Sequence, residues 1–390
     1  MIDWISVIVP IAHSEPINGG NVVSVDIEGN VEWKVEKRIS VEGSHGSTIQ
    51  IKSDHSDGPY SGIRLDGNPV KWLQGHNVWG SSDLVGLITA CLSRVLLLVS
   101  PAIANSLLSP SPVESLAQRS AVAKSTERTP TASEMYILGV SILPLVYCAR
   151  ITRIDLNSMY DLGNSQRVLS WIRAAANSAN MSHRGKGQFK GDTLYWGKNS
   201  RRWSLKMYPK GDELKAHKPK KGIVDHPHFL EGVTNFADRA LRVELTLRGM
   251  ELKDKQLSSV QHWREGVAEN VYISYLSGLE FSQNMKVTET PFDYEPLPAR
   301  LRACALAWSE GHDLRTLYPR ATWFRYRKEI MALISLDISL PPPRERSERS
   351  NVIPLFTILE AKPMDIPEWA RGTPLYFEPP VYRHKFLSVA

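Results

Sequence analysis

RRWSLKMY, residues 201–208, is followed by Pro209 and Lys210 and alternates with a period of two. Trp203, Leu205 and Met207 fall on one face, and Arg202, Ser204, Lys206 and Tyr208 on the other. The run reads as a strand with an apolar back and a basic front. Pro209, which has no N–H to offer a ladder, ends it. Two further runs repeat the pattern. In ITRIDLN (151–157), Arg153, Asp155 and Asn157 lie opposite Ile154 and Leu156. In LRVELTLR (241–248), Arg242, Glu244 and Thr246 lie opposite Leu241, Val243 and Leu245. Apolar backs and ionisable fronts on three strands predict one sheet packed on helices, its polar side open to a cleft.

Outward from these strands the order of elements predicts an α+β fold. VVSVDI (22–27), VEWKVEKRISV (31–41), STIQIK (47–52), GIRL (62–65) and VKWLQ (70–74) alternate like strands, with Gly, Asn and Asp turns between them. If the last of these persists, Gln74 and His76 share a side. Ser82-Asp83 caps a helix through Leu84 and Val95, SQRVLSWIRAAANSA (165–179) has helical spacing, and another helix surrounds Trp263–Leu279. A doubly wound sheet would need regular strand–helix alternation, which is missing; antiparallel strands with helices on one face fit instead. The core is assigned to residues 1–290, with a mobile Ser/Thr/Pro-rich insertion at about 105–135. Residues 299–338 form a second segment. There, a first helix ends near Gly311-His312 and Pro319 opens a second, carrying Arg320, Arg325, Arg327 and Lys328 with Trp323 and Phe324 as core anchors. This is the spacing of a helix-turn-helix whose second helix meets DNA. Residues 339–390, with PPPRERSERS, read as a Pro-rich tail.

Composition narrows the function. The chain has 390 residues, 42% hydrophobic and 23% charged, with a net charge of +6. Residues 182–221 alone hold 12 Lys/Arg against 3 Asp/Glu, so the remainder is slightly acidic and a phosphate-facing surface is concentrated here. Cys91, Cys148 and Cys304 are far apart, which speaks against a zinc ribbon or a disulfide framework and for a reducing compartment. The stretch from Leu84 to Leu108 is apolar, but Arg94 near its centre would cost about 2.5–3.5 kcal/mol in a bilayer. A buried helix is expected there, and no membrane.

Gathered in one cleft, the polar faces supply the parts for metal-assisted phosphodiester chemistry. Asp155, Glu244 and His76 could hold Mg²⁺ or Mn²⁺. The Tyr208 hydroxyl could attack in line, helped by Lys206, because a phenol of pKa near 10 is weak at neutral pH. A tyrosyl link conserves the phosphodiester's energy and permits rejoining; activated water would not. Arg153, Arg201, Arg202 and Arg242 stand ready for DNA phosphates. Each has a plainer reading, as salt bridges on a sheet face, a turn histidine or a rim tyrosine. His226-Pro227-His228 offers two imidazoles, but a proline breaks the strand that would project them together.

LQGHNVWGSSDL (73–84) closely resembles the signature of the gene II protein family of filamentous-phage replication initiators. TRIDL (152–156) is similar to that family's Arg-Ile-Asp motif, RVELTLR to its later Glu-bearing strand, and YPRATWFRYRKEI (318–330) to its C-terminal basic segment. The resemblance implies a rolling-circle nicking-joining enzyme in the host cytoplasm. It would cut one strand of supercoiled origin DNA, remain on the 5′ phosphate through tyrosine, and later rejoin the displaced single strand. Host helicase and polymerase would work from the free 3′ hydroxyl. Carried over residue by residue, the nucleophile falls on Tyr208, with Tyr195 on the neighbouring strand as rival. Asp155 and Glu244 become metal ligands and His76 the third. The competing expectations are a non-catalytic DNA-binding regulator and a metal nuclease that uses water.

Overall fold

A nine-stranded antiparallel sheet carries the protein, and its strands come from five separate stretches of chain. They are β1 (Ile2–Val9), β2 (Ile39–Glu42), β3 (Thr48–Asp54), β4 (Gly62–Gly67), β5 (Arg150–Asp161), β6 (Gln188–Lys190), β7 (Thr193–Trp196), β8 (Trp203–Pro209) and β9 (Ala240–Arg248). Their spatial order is β6-β7-β8-β9-β5-β1-β4-β3-β2, with every pairing antiparallel. The computed structural model describes residues 1–108, 130–216, 227–281, 286–287, 294, 296–309, 312–334, 336–339, 353–354 and 363–382. The helices used below are α1 (Pro69–Gln74), α2 (Leu84–Val99), α3 (Ala132–Tyr147), α4 (Ser165–Ser178), α5 (Lys210–Ala216), α6 (Pro227–Asp238), α7 (Val267–Leu276), α8 (Ala299–Ser309), α9 (Leu314–Leu317) and α10 (Arg320–Ile334). The fold is α+β.

The alternation in β5, β8 and β9 does what period two requires. Ile154, Leu156, Leu205, Met207, Val243 and Leu245 all point into one hydrophobic cluster that also holds apolar side chains of α2, α3, α4 and α7. At about 25 cal/mol per Å² of apolar surface removed from water, this shared face is the main source of stability. Asp83 caps α2 as expected, its Oδ1 accepting from the Gly86 N–H at 2.9 Å. Arg94 on that helix donates to Ser44 Oγ. Among the described residues no helix is long and apolar enough to cross a membrane.

Several expectations change. VKWLQ is α1, not a strand. Asn68 caps it by accepting from the Lys71 N–H at 2.8 Å, Pro69 opens it, and Gly75 closes it at φ +89°, a left-handed conformation that favours glycine. These end signals outweigh the β-like alternation of so short a run. VEWKVEKRISV divides, Val31–Glu36 pairing with Asn21–Val25 in a separate hairpin while β2 joins the main sheet. The C-terminal pair of helices is three, α8 to α10, around Leu301, Cys304, Trp308, Leu314, Trp323 and Ile330. Trp323 is buried, but Phe324, expected in that core, is 48% exposed. The insertion at about 105–135 falls largely on residues outside those described, although Pro101–Leu107 and α3 on its flanks are helical. The basic run 217–221, most of the tail at 339–390, and His226 also lie outside them.

Residues 363–377 of the expected tail pack onto the sheet. The Met364 N–H donates to the Met159 carbonyl at 2.8 Å. Ala370 and Leu375 join Val78, Trp79, Met159, Val233 and Ala237 in a second buried cluster. This strap, α6 and the turn after α1 roof one end of the polar sheet face.

Candidate active site on the polar sheet face

Register decides which polar side chains meet. Tyr208, Arg242 and Met159 stand in one row across β8, β9 and β5; Lys206, Glu244 and Asn157 form the next, continued by Tyr195 on β7; Ser204, Thr246, Asp155 and Trp4 form the third. Glu244 is the hub. Its Oε1 lies 2.7 Å from Lys206 Nζ, and its Oε2 accepts from the Tyr208 hydroxyl at 3.0 Å. Asp155, diagonal to it, takes a forked bond from Arg153, Nε to Oδ1 at 2.9 Å and Nη2 to Oδ2 at 2.6 Å. The structure therefore brings Tyr208, Lys206, Glu244 and Asp155 to one face, as their alternation predicts.

Exposure along that face is uneven. The Arg153 and Lys206 side chains are 40% and 32% exposed, whereas Tyr208 keeps 8% and Arg242 none. Burial pushes the Tyr208 phenol well above its ordinary pKa, reinforced by the neighbouring Glu244 charge. Burial also raises Glu244, helped by the negative charges of Asp3 and Asp155. A carboxylate raised toward neutrality is a better proton acceptor than an ordinary one, and it touches the phenol directly. Tyr195 is less buried and has Lys198 Nζ 5.2 Å from its ring centroid.

A charged node beneath the roof holds two residues the strand patterns overlooked, Asp3 and Lys210. Pairing between β1 and β5 shifts register between Ile2 and Trp4, and Asp3 is the extra residue. It accepts from Asn68 at 2.6 Å and Asn77 at 2.8 Å, and its Oδ2 lies 3.0 Å from Arg242 Nη2. Burial alone would raise Asp3, but the charges of Arg242, Lys210 and Lys206 and the bond from Asn77 together outweigh it and hold the carboxyl at about 2. Lys210 is fully buried, donating to Asn77 Oδ1 at 2.8 Å and pairing with Glu213; burial, with the Arg242 charge beside it, lowers its pKa to about 8. A signal for Asp3 was present in MIDWISVIVP. Strict alternation would place its charge with Ile5 and Val7 on the apolar face, and only a bulge avoids that.

His76 does not join the acids. Its Nδ1 accepts from the Val78 N–H at 3.2 Å and its Nε2 donates to the Leu375 carbonyl at 2.9 Å, so both nitrogens are used. Burial lowers its pKa to about 3 and keeps the ring neutral. Gln74 completes the latch, donating to the Trp79 carbonyl and accepting from the Phe377 N–H. The LQGHN turn thus fastens the strap. Replacing His76 with Ala leaves buried partners unsatisfied and is expected to lower unfolding free energy by about 1–3 kcal/mol in urea titrations; an unchanged midpoint would make those bonds dispensable. Among the described residues no three His, Cys, Asp or Glu side chains are grouped to hold a metal. With His76 engaged, Asp155 and Glu244, paired here with Arg153 and Lys206, are the two of the expected ligands left on the polar face to meet Mg²⁺ or Mn²⁺.

The basic residues divide similarly. Arg242 is buried, its Nη1 donating to the Asn77 carbonyl, and cannot meet DNA. Arg202 is held by Glu251 at 2.7 Å and by Asp254, and Arg327 makes a fork of two 2.7 Å bonds to Asp337. Their charges are already matched by carboxylates. Arg201, Arg320, Arg325 and Lys328 are exposed, Arg325 lying 4.0 Å from Glu329.

Two family models match the chain, those of the N-terminal and C-terminal parts of the phage replication-associated gene II protein, the first over residues 1–123 and 142–266 and the second over residues 297–376. The chain belongs to the gene II replication-associated protein family. A relative in that family, the replication-associated protein of Enterobacteria phage I2-2, is 36% identical over 369 residues, covering 94% of this chain and 95% of its own. A solved rolling circle replication initiator from Geobacillus stearothermophilus aligns over 73% of this chain and 87% of its own, with TM-score 0.31 and 10% identity. Likeness at that level says nothing about a shared site.

Proposed function

We propose that this gene II family chain nicks one strand of duplex phage origin DNA through Tyr208, keeps the 5′ phosphate as a tyrosyl ester, and rejoins the displaced strand in rolling-circle replication. The observation that carries this reading is the Tyr208 hydroxyl 3.0 Å from Glu244, on the face that also presents Lys206 and Asp155. A nucleophile in direct contact with a base is the arrangement covalent catalysis needs. The Tyr208 proton passes to Glu244 as the tyrosyl oxygen–phosphorus bond forms and the bond to the 3′ oxygen breaks. Water supplies the proton that leaves a 3′ hydroxyl. Lys206 and Arg153, on the open side of the face, offset the phosphate's charge. Rejoining reverses these transfers.

Supercoiled origin DNA and the displaced strand are the proposed partners, with host helicase and polymerase extending the free 3′ end in the cytoplasm. Mg²⁺ or Mn²⁺ stays within the proposal, Asp155 and Glu244 being the carboxylates to which it would add charge neutralisation at the phosphate when bound. Incubation with supercoiled origin DNA is expected to yield nicked circles bearing protein on the 5′ end. A chelator is expected to abolish them, and undiminished nicking in its presence would remove the metal from the scheme.

The burial of Tyr208 favours a second reading, a DNA-binding regulator whose carboxylates serve only to pair with cations. It requires salt-sensitive binding with no covalent adduct under any condition.

A further inference from the structure

Where α10 meets the core, a cleft of about 490 Å³ opens between α4, the turn joining β6 to β7, and α10. Its size suits one small ligand or nucleotide. Phe189 of β6 and Phe324 of α10 both line it and remain 40% and 48% exposed, unusual for phenylalanines with a hydrophobic cluster close by. Arg173 and Lys328 line it too. The Arg173 side chain is only 11% exposed, yet its Nη2 is buried without a hydrogen bond. The nearest acid, Asp337, lies 3.4 Å away and is already forked by Arg327. Asp192 and Asp337 are the acids at the cleft, against Arg173, Arg327 and Lys328.

Exposed aromatic rings beside a buried, under-bonded guanidinium are the chemistry that holds an unpaired base and its phosphate: the ring face stacks, the cation takes the charge. From these rings and this cation we propose that the cleft is a subsite for a single unstacked base of a DNA strand, stacked on Phe189 and Phe324 with its phosphate on Arg173 and Lys328. The subsite rests on the DNA reading above and deepens it. The cleft lies at the β6 edge on the helix-bearing side of the sheet, because Phe189 pairs with Leu194 of the apolar face. A strand leaving Tyr208 past the neighbouring row of Lys206, Tyr195 and Gln188 would have to round that edge. The site therefore suits the displaced strand, not the duplex.

Fluorescence anisotropy with the full chain, a labelled oligothymidylate and a duplex of equal length tests this. Phe324→Ala and Phe189→Ala are each expected to weaken oligothymidylate binding about 5- to 100-fold, duplex binding changing less than about twofold. Phe324→Trp, which keeps a stacking face, should restore most of the loss. Unchanged oligothymidylate binding by both alanine variants overturns the subsite, as does equal weakening on duplex. The nicking assay separates this from the function above. Binding lost in the variants while wild type forms no adduct sinks the nicking scheme alone. Adduct formation with unchanged binding in the variants sinks the cleft alone. A wild-type chain that binds neither DNA overturns both.

Discussion

Tyr208→Phe protein, mixed with supercoiled origin DNA, is expected to give no protein–DNA adduct and nicking reduced by roughly four orders of magnitude or more, the scale on which removing a covalent nucleophile acts. Only the hydroxyl is removed. The ring keeps its place, and Glu244 keeps its partners Lys206 and Arg242, so folding should survive. Glu244→Gln should fall between the two, since it retains shape and loses the proton acceptor. Tyr195→Phe is the control with content of its own. Tyr195 faces Lys206 across the β7–β8 ladder and is the more accessible phenol, so exposure alone would choose it. An adduct formed by Tyr208→Phe and lost in Tyr195→Phe would move the nucleophile one strand outward and leave Glu244 with a structural role. Burial of Tyr208 adds a further expectation. DNA must draw it toward the open Arg153–Lys206 end, so adduct formation should be slower than DNA binding in stopped-flow measurement.

How far the sequence reveals this arrangement depends on the kind of signal each residue leaves. Strands β5, β8 and β9 were legible because alternation is a local property, and a face with Leu205, Val243 and Ile154 on its back leaves little choice of register. The meeting of Lys206, Glu244 and Tyr208 followed from that register. α1 was misread because six residues are too few for periodicity, while the caps at Asn68, Pro69 and Gly75 were visible and weightier. His76 and Arg242 failed for another reason. Both have the chemistry of a site residue, but their roles are set by groups far along the chain, Leu375 for one and Asp3 for the other. No spacing rule reaches 299 residues, and a Pro-rich stretch gives no local sign that it will dock as a strap. The LQGHN motif was recognisable as a signature, and its physical work, fastening that strap, emerged only in three dimensions.

Arg242→Met is expected to lower the unfolding free energy by about 3–5 kcal/mol, a large share of the 5–15 kcal/mol typical of a domain. Arg242 is wholly buried, and its guanidinium is the principal counter-charge for Asp3, whose side chain is 10% exposed. Removing it strands that carboxylate beside Glu244 under the roof. The double variant Asp3→Asn, Arg242→Met should recover part of the loss, since the carboxylate that lost its counter-charge is then neutral as well; a cycle showing simple additivity would deny the coupling. Acid provides an independent test. The folded value for Asp3, about 2, lies below its unfolded value near 3.9, so its contribution is complete above the latter and drains away as pH falls toward the former. Wild type should lose stability through that window, and Asp3→Asn should show a shallower slope there. DNA affinity offers the last discrimination. A buried guanidinium releases no counterions, so Arg242→Met should leave the salt dependence of binding unchanged at temperatures where it is folded, whereas removal of exposed Arg201 or Arg320 should reduce the slope by about one. A flattened slope in Arg242→Met would place that side chain on DNA after all and open the roof that this structure closes.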